Sequence, residues 1–145
     1  MHSAAAKALF LRDVDRFPEV LLQERRWTIL EREYPILEVL FEADARVPLR
    51  VRLTCEEWNA LPPSIKLMSK GGGALAKMPT APGAQLHSVP HPATGLPFVC
   101  MVGTREYHTH PVHRGDAWDN YRHASGYDIG GILTRVWRAW LTALP

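Results

Sequence analysis

Leu49-Arg50-Val51-Arg52-Leu53 alternates an apolar residue with an arginine at every step, the period-two pattern of a strand with one apolar and one wet face. On its N-terminal side, Ile36, Leu37, Val39 and Phe41, and before them Trp27 and Ile29, repeat the theme. Tyr34-Pro35 and Arg46 to Pro48 supply the turns between them. On its C-terminal side, Ser64 to Met68 follows Pro62-Pro63 and reads as a further strand. These stretches predict an antiparallel meander with one wet face.

Both flanks of the meander read as helical. Ala6, Leu9, Phe10, Val14 and Phe17 recur at three-to-four spacing from Ala4 until Pro18 interrupts, which predicts a first helix. A short turn follows over Val20 to Gln23. Ile129, Ile132, Leu133, Val136, Trp137, Trp140 and Leu141 form the apolar stripe of a last helix, with Asp128 placed to cap it. Trp137 and Trp140 could mark a ligand stripe, but aromatics at this spacing read as core. Between meander and last helix, Ser69 to Pro97 carries Gly71-Gly72-Gly73 and Pro79, Pro82, Pro90, Pro92 and Pro97, a long loop of the kind that is functional or mobile. Phe98 to Val102 reads as a short buried extended segment that carries Cys100. The expected class is α+β, one domain over residues 1–145.

Composition narrows the function. The chain has 145 residues, 46% of them hydrophobic, enough for a single core. Lys and Arg number 17 against 15 acidic residues, a net +2 too balanced to indicate nucleic-acid binding. No run reaches the roughly 18 to 20 apolar residues of a membrane span, and Met1 to Phe10 reads as helix, not signal peptide. Two cysteines, Cys55 and Cys100, give no disulfide framework, so the cytoplasm is the expected compartment.

Several local motifs then line up in order. Leu49 to Leu53 leads to Trp58, Leu61-Pro62-Pro63 and Ile65 to Met68; His91-Pro92 leads to Gly95 and Val99-Cys100-Met101; Trp118 precedes the stripe from Ile129. This succession resembles the ubiquitin-conjugating (E2) family, and within it a bacterial E2-like branch of ubiquitin-like conjugation. The family has a strand, an aromatic residue and a Pro-Pro pair, then His-Pro-Asn ahead of an active cysteine flanked by aliphatic residues, a tryptophan and a crossover helix. The resemblance spans about Ala4 to Leu141. It implies a UBC-like fold in which Cys100 accepts a ubiquitin-like protein as a thioester from an E1-like adenylating enzyme and passes it to a target protein, with no cofactor. It implies binding roles for His91, Pro92 and Trp118, docking of the E1-like enzyme through Lys7, Arg12 and Arg16 on the first helix, a role in antiviral defence, and a JAB-type deubiquitinase in the same pathway. Three features depart from the family: Ala93 stands where it has asparagine, the stretch between Cys100 and Trp118 is longer, and Gly95 sits farther from the cysteine.

The residues themselves leave alternatives open. A free cysteine between aliphatic neighbours is often a buried small hydrophobe, and Cys55 reads as structural. His108, His110, His113 and His123 crowd within sixteen residues. On a strand, His108 and His110 would share a face and suit one metal that His113 could close; equally, His108 or His110, on a flap from Tyr107 to Arg122, could take a proton during transfer from Cys100. Asp116 and Asp119 could hold an attacking lysine, and Asn120 or Thr94 could donate to an oxyanion in place of the missing asparagine. An inactive E2-like scaffold is the alternative reading. A second is a zinc-dependent JAB-type peptidase, suggested by His108-Thr109-His110-Pro111 with Ser125 to Asp128; its spacing is too long, and the upstream Glu-x-x-Gly is absent.

Overall fold

The computed structural model describes residues 2–80 and 85–143; Pro82 and the rest of 81–84 in the long loop, with Met1 and residues 144–145, lie outside the described residues. The elements run α1 (Ser3–Val14), α2 (Glu19–Arg25), β1 (Trp27–Glu33), β2 (Ile36–Phe41), β3 (Leu49–Thr54), β4 (Ser64–Met68), β5 (Leu86–His87), β6 (Phe98–Val99), α3 (Arg105–Thr109) and α4 (Ile129–Thr142). Two 3-10 turns, Pro111–His113 and Trp118–Asn120, lie between α3 and α4. The class is α+β.

β1 to β4 pair in chain order, each antiparallel to the last. Register puts Leu37 opposite Leu53, Val39 opposite Val51 and Phe41 opposite Leu49, so one face of the central strands is wholly apolar. Phe10 and Val14 of α1 and Ile132, Leu133, Val136 and Trp140 of α4 join the core with that face. Trp140 is buried against Phe41, and Trp137 packs edge-on to Trp27, so both tryptophans serve the core. The Arg25 guanidinium lies over the Trp27 and Trp137 rings and donates to Thr134 Oγ1 at 2.7 Å.

The opposite face of the sheet is not simply wet. Glu38 on β2 is fully buried there, and the arginines that face it across the ladder, Arg50 and Arg52, both close on its carboxylate, Arg50 Nε at 2.7 Å. Burial opposes ionisation of Glu38, but the hydrogen bonds and charges of the two arginines outweigh it, and the net shift is downward. A β-bulge between Ile29 and Glu31 disrupts the ladder on edge strand β1, which discourages further pairing there.

Asp13 joins three elements. Its side chain is buried, accepts from Trp58 Nε1 at 3.0 Å and from the Ile129 amide at 3.4 Å, and takes Arg12 at 2.9 Å. Asp128 adds the expected cap of α4, accepting from the Gly131 amide at 2.7 Å. Gly131 is obligatory here, because a Cβ would stand 2.2 Å from the Gly126 carbonyl oxygen.

Replacing Asp13 by alanine leaves the buried Trp58 indole N–H and the Ile129 amide without an acceptor. The expected loss is about 3 kcal/mol of folding free energy, measured by urea denaturation, with Asp13→Asn losing less.

Candidate functional site

Cys100 is delivered by the short ladder of β5 and β6. Its amide donates to Gln85 O at 2.7 Å, which extends the pairing one residue beyond Val99. Met101 turns into the core, and Gly103, at a φ of +95°, reverses the chain. Thr104 then caps α3: its Oγ1 accepts from the Tyr107 amide, and its hydroxyl donates to the Met101 carbonyl at 2.9 Å. After α3, His110 caps the turn Pro111–His113, with its Nδ1 accepting from the Val112 amide at 3.2 Å. That turn carries His113 back to the cysteine.

The Cys100 sulfur, half-buried, lies in hydrogen-bond contact with His113 Nε2 at 3.6 Å. Tyr107 stacks on the His113 ring, with centroids 4.0 Å apart and planes 14° from parallel. The Tyr107 hydroxyl donates to Asp116 Oδ2 at 2.7 Å and the Tyr121 hydroxyl to Asp116 Oδ1 at 2.8 Å. Those two bonds hold the Asp116 carboxyl below its ordinary range, and the bond to Asp116 pushes the Tyr107 phenol up to about 12. Burial pushes the Cys100 thiol up, so Cys100 rests as the thiol. Such an arrangement delivers a thiolate when an electrophile arrives, with His113 receiving the proton.

The other histidines are placed differently from expectation. His108 and His110 do not share a strand face: His108 lies in α3 and His110 just beyond it. His108 Nε2 accepts from the Gly103 amide at 3.0 Å, and its Nδ1–H donates to the Asp116 carbonyl at 2.7 Å. Both nitrogens are occupied by backbone, and burial lowers its pKa, so His108 is a neutral clip with no lone pair for Cys100. His110 stacks on Phe98 beside His91 and His113. Among the described residues no three His, Cys, Asp or Glu side chains converge on a metal-sized site.

His91 is buried and fixes the approach to the cysteine. Its Nε2–H donates to the Glu106 carbonyl at 2.8 Å, while Nδ1 accepts from the Ala93 amide at 3.0 Å. Pro92 is exposed on the same turn. Trp118 is buried against Trp58 and donates to the Asn59 carbonyl at 2.8 Å, a packing role. Asp119 and Asn120 are exposed, Asp119 pairs with Arg122 at 3.2 Å, and neither lines the cleft at Cys100. Cys55 is buried in the core, and burial drives its thiol far up. Lys7 and Arg12 are exposed on α1, whereas Arg16, expected on the same helix, is exposed in the turn that follows its end at Val14; Arg12 and Arg16 border a separate cleft with Arg122.

Cys100 opens onto a cleft of about 710 Å³, walled by Gln85 and His87 on one side, Tyr107, His113 and Tyr127 on another, and Arg135, Arg138 and Thr142 of α4. Sequence reading missed Gln85, Tyr107 and the arginines, and gave His113 only a metal role. The signal for His113 was present: Pro111 directly after a capping-competent His110 marks the first position of a helical turn, which sets where residue 113 points.

Comparison with known proteins adds one relationship. Residues 83–143, from β5 through α4, match the model of the Y4jH-like family, described as the Y4jH family. A 40-residue stretch is 42% identical to the uncharacterized protein y4jH of Sinorhizobium fredii; it covers 28% of this chain and 20% of that protein. The family match takes in Cys100, His113 and the α4 arginines.

Because burial raises the Cys100 thiol, alkylation by neutral iodoacetamide is expected to climb with pH to a midpoint above the ordinary thiol value of about 8.5. Rates followed by mass spectrometry from mild acid to pH 10 check this. A plateau already reached at pH 7 would mean a thiolate–imidazolium pair instead.

Proposed function

We propose that this chain is an E2-like carrier with a UBC-like fold, in which Cys100 holds a ubiquitin-like protein as a thioester. The observation that carries the reading is a half-buried thiol at the edge of an open cleft with an imidazole nitrogen 3.6 Å from its sulfur. The order of elements supports it: a first helix, a four-stranded meander, an irregular segment bearing the cysteine and a closing helix. So does the buried His91, which fixes the loop that leads to Cys100.

In the charging step the Cys100 sulfur attacks the carbonyl of a thioester on an E1-like enzyme. A new C–S bond forms, His113 takes the thiol proton, the old C–S bond breaks, and the departing thiolate is reprotonated. In discharge an amine or hydroxyl of a target protein attacks the Cys100 thioester carbonyl; the new C–N or C–O bond forms, the C–S bond breaks, and the proton of the nucleophile passes through the same imidazole to the departing Cys100 thiolate. His113 therefore takes over the base role that the sequence gave to His108 or His110. Gln85 is the one side-chain amide lining the cleft, which makes it the candidate donor to the thioester carbonyl in place of the asparagine absent at Ala93.

With an E1-like enzyme, its modifier and ATP, a non-reducing gel is expected to show an adduct that thiols cleave. Cys100→Ala abolishes it, Cys100→Ser converts it to a thiol-resistant oxyester, and Cys55→Ala leaves it intact. His113→Ala slows charging and discharge about a hundredfold, whereas His110→Ala leaves discharge near the wild-type rate. An adduct that survives Cys100→Ala overturns the reading.

Docking of the E1-like enzyme is assigned to the exposed basic residues of α1 and of the turn that follows it. Lys7→Glu with Arg16→Glu is expected to slow charging several-fold at low salt and much less at high salt. Arg12 is left intact in this test because it pairs with the buried Asp13. A rate unchanged at either salt removes α1 from the docking surface.

A further inference from the structure

The ionic side chains that line the Cys100 cleft are of one sign. Arg135 and Arg138 line it, with His87 and His113 beside them, and no carboxylate is among its lining residues. Arg135 is fixed as part of the wall: Nη1 donates to the Val102 carbonyl and Nη2 to the Gly126 carbonyl, each at 3.2 Å, and its guanidinium lies 4.0 Å over the Tyr127 ring. Those partners are neutral, so its charge is left uncompensated. Arg138 is exposed and makes no ion pair among the described residues. The cleft beside α1 differs, since Asp13 and Asp128 line it together with Arg12, Arg16 and Arg122. At the Cys100 cleft the charges of Arg135 and Arg138 stand on the wall that leads to the sulfur with no carboxylate in the lining to oppose them.

We infer that the Cys100 cleft selects an acyl donor with an acidic tail: a peptide segment whose carboxylate side chains lie along Arg135 and Arg138 while its C-terminal carbonyl reaches Cys100. This rests on the carrier reading and names the chemistry of its cargo. A cleft lined by one sign of charge concentrates the opposite sign and speeds its arrival, and the gain fades as salt screens it. A basic tail would meet Arg138 as a like charge and be turned away.

Two measurements test the inference. The first is the rate of disulfide exchange at Cys100 with dithiobis(nitrobenzoate), a dianion, and with neutral dithiodipyridine, using Cys100→Ala as background. Arg138→Gln is expected to slow the dianion several-fold and Arg138→Glu about tenfold, the lower end of what a single-sign cleft supplies. The neutral reagent should stay within about twofold in both variants, and high salt should erase the difference. Equal effects on both reagents, or none on either, overturn the inference; Arg138 is exposed, so folding is not at stake.

The second measurement transfers the acyl group of short peptide thioesters to Cys100, one with glutamates before its terminal glycine and one with lysines, read by intact mass. The glutamate peptide is expected to load about tenfold faster at low salt, and Arg138→Glu should reverse the preference. Equal loading overturns the acidic tail while the carrier reading stands; loading from neither peptide overturns the carrier reading itself.

Discussion

A buried carboxylate is costly unless every lone pair that matters finds a donor, and Asp13 meets that condition by drawing on three separate parts of the chain. The indole of Trp58 comes from the loop between β3 and β4, the Ile129 amide from the start of α4, and Arg12 from the same helix. The Asp13 side chain therefore sets the distance between the first helix, the end of the meander and the last helix. Without it α4 could slide along the apolar sheet face, since hydrophobic contact is non-directional. The wall of the cleft, which is the outer side of α4, inherits its position from this bond network.

Asp116 does for the segment after Cys100 what Asp13 does for the core. Its carboxylate gathers the hydroxyls of Tyr107 and Tyr121, its carbonyl takes His108 and its amide donates to the His113 carbonyl. The partners come from α3, from the turn Pro111–His113 and from Tyr121. The stacking of Tyr107 on His113 turns this scaffolding into a fixed imidazole, and so the distance from nitrogen to sulfur is set by a residue that touches neither.

How far the structure could be read in the sequence depended on the length of each pattern. The meander and α4 were legible because alternation over Leu49 to Leu53 and a stripe from Ile129 to Leu141 repeat often enough to exclude other periods. Arg105 to Thr109 is too short for any period, so the helix there was not foreseen, and a strand that would put His108 and His110 on one face stayed open as one alternative. Glu38, between Leu37 and Val39, looked like an ordinary solvent-facing residue; only the register with Arg50 and Arg52 explains how it can be buried. Cys100 was legible as a candidate from its neighbours in sequence. Its partner was not, because the contact with His113 is made by the return of the chain through a 3-10 turn.

The His108 ring clips the Gly103 amide at one end of a loop to the Asp116 carbonyl at the other, and both atoms belong to the main chain. Residues in between can change identity without loosening that clasp, provided His108 itself remains. Residues 109, 111, 112, 114 and 115 are all exposed, so the loop presents a variable rim above a sulfur whose position does not vary. Drift in that rim would alter what the protein meets at its surface while the reacting geometry stays inherited.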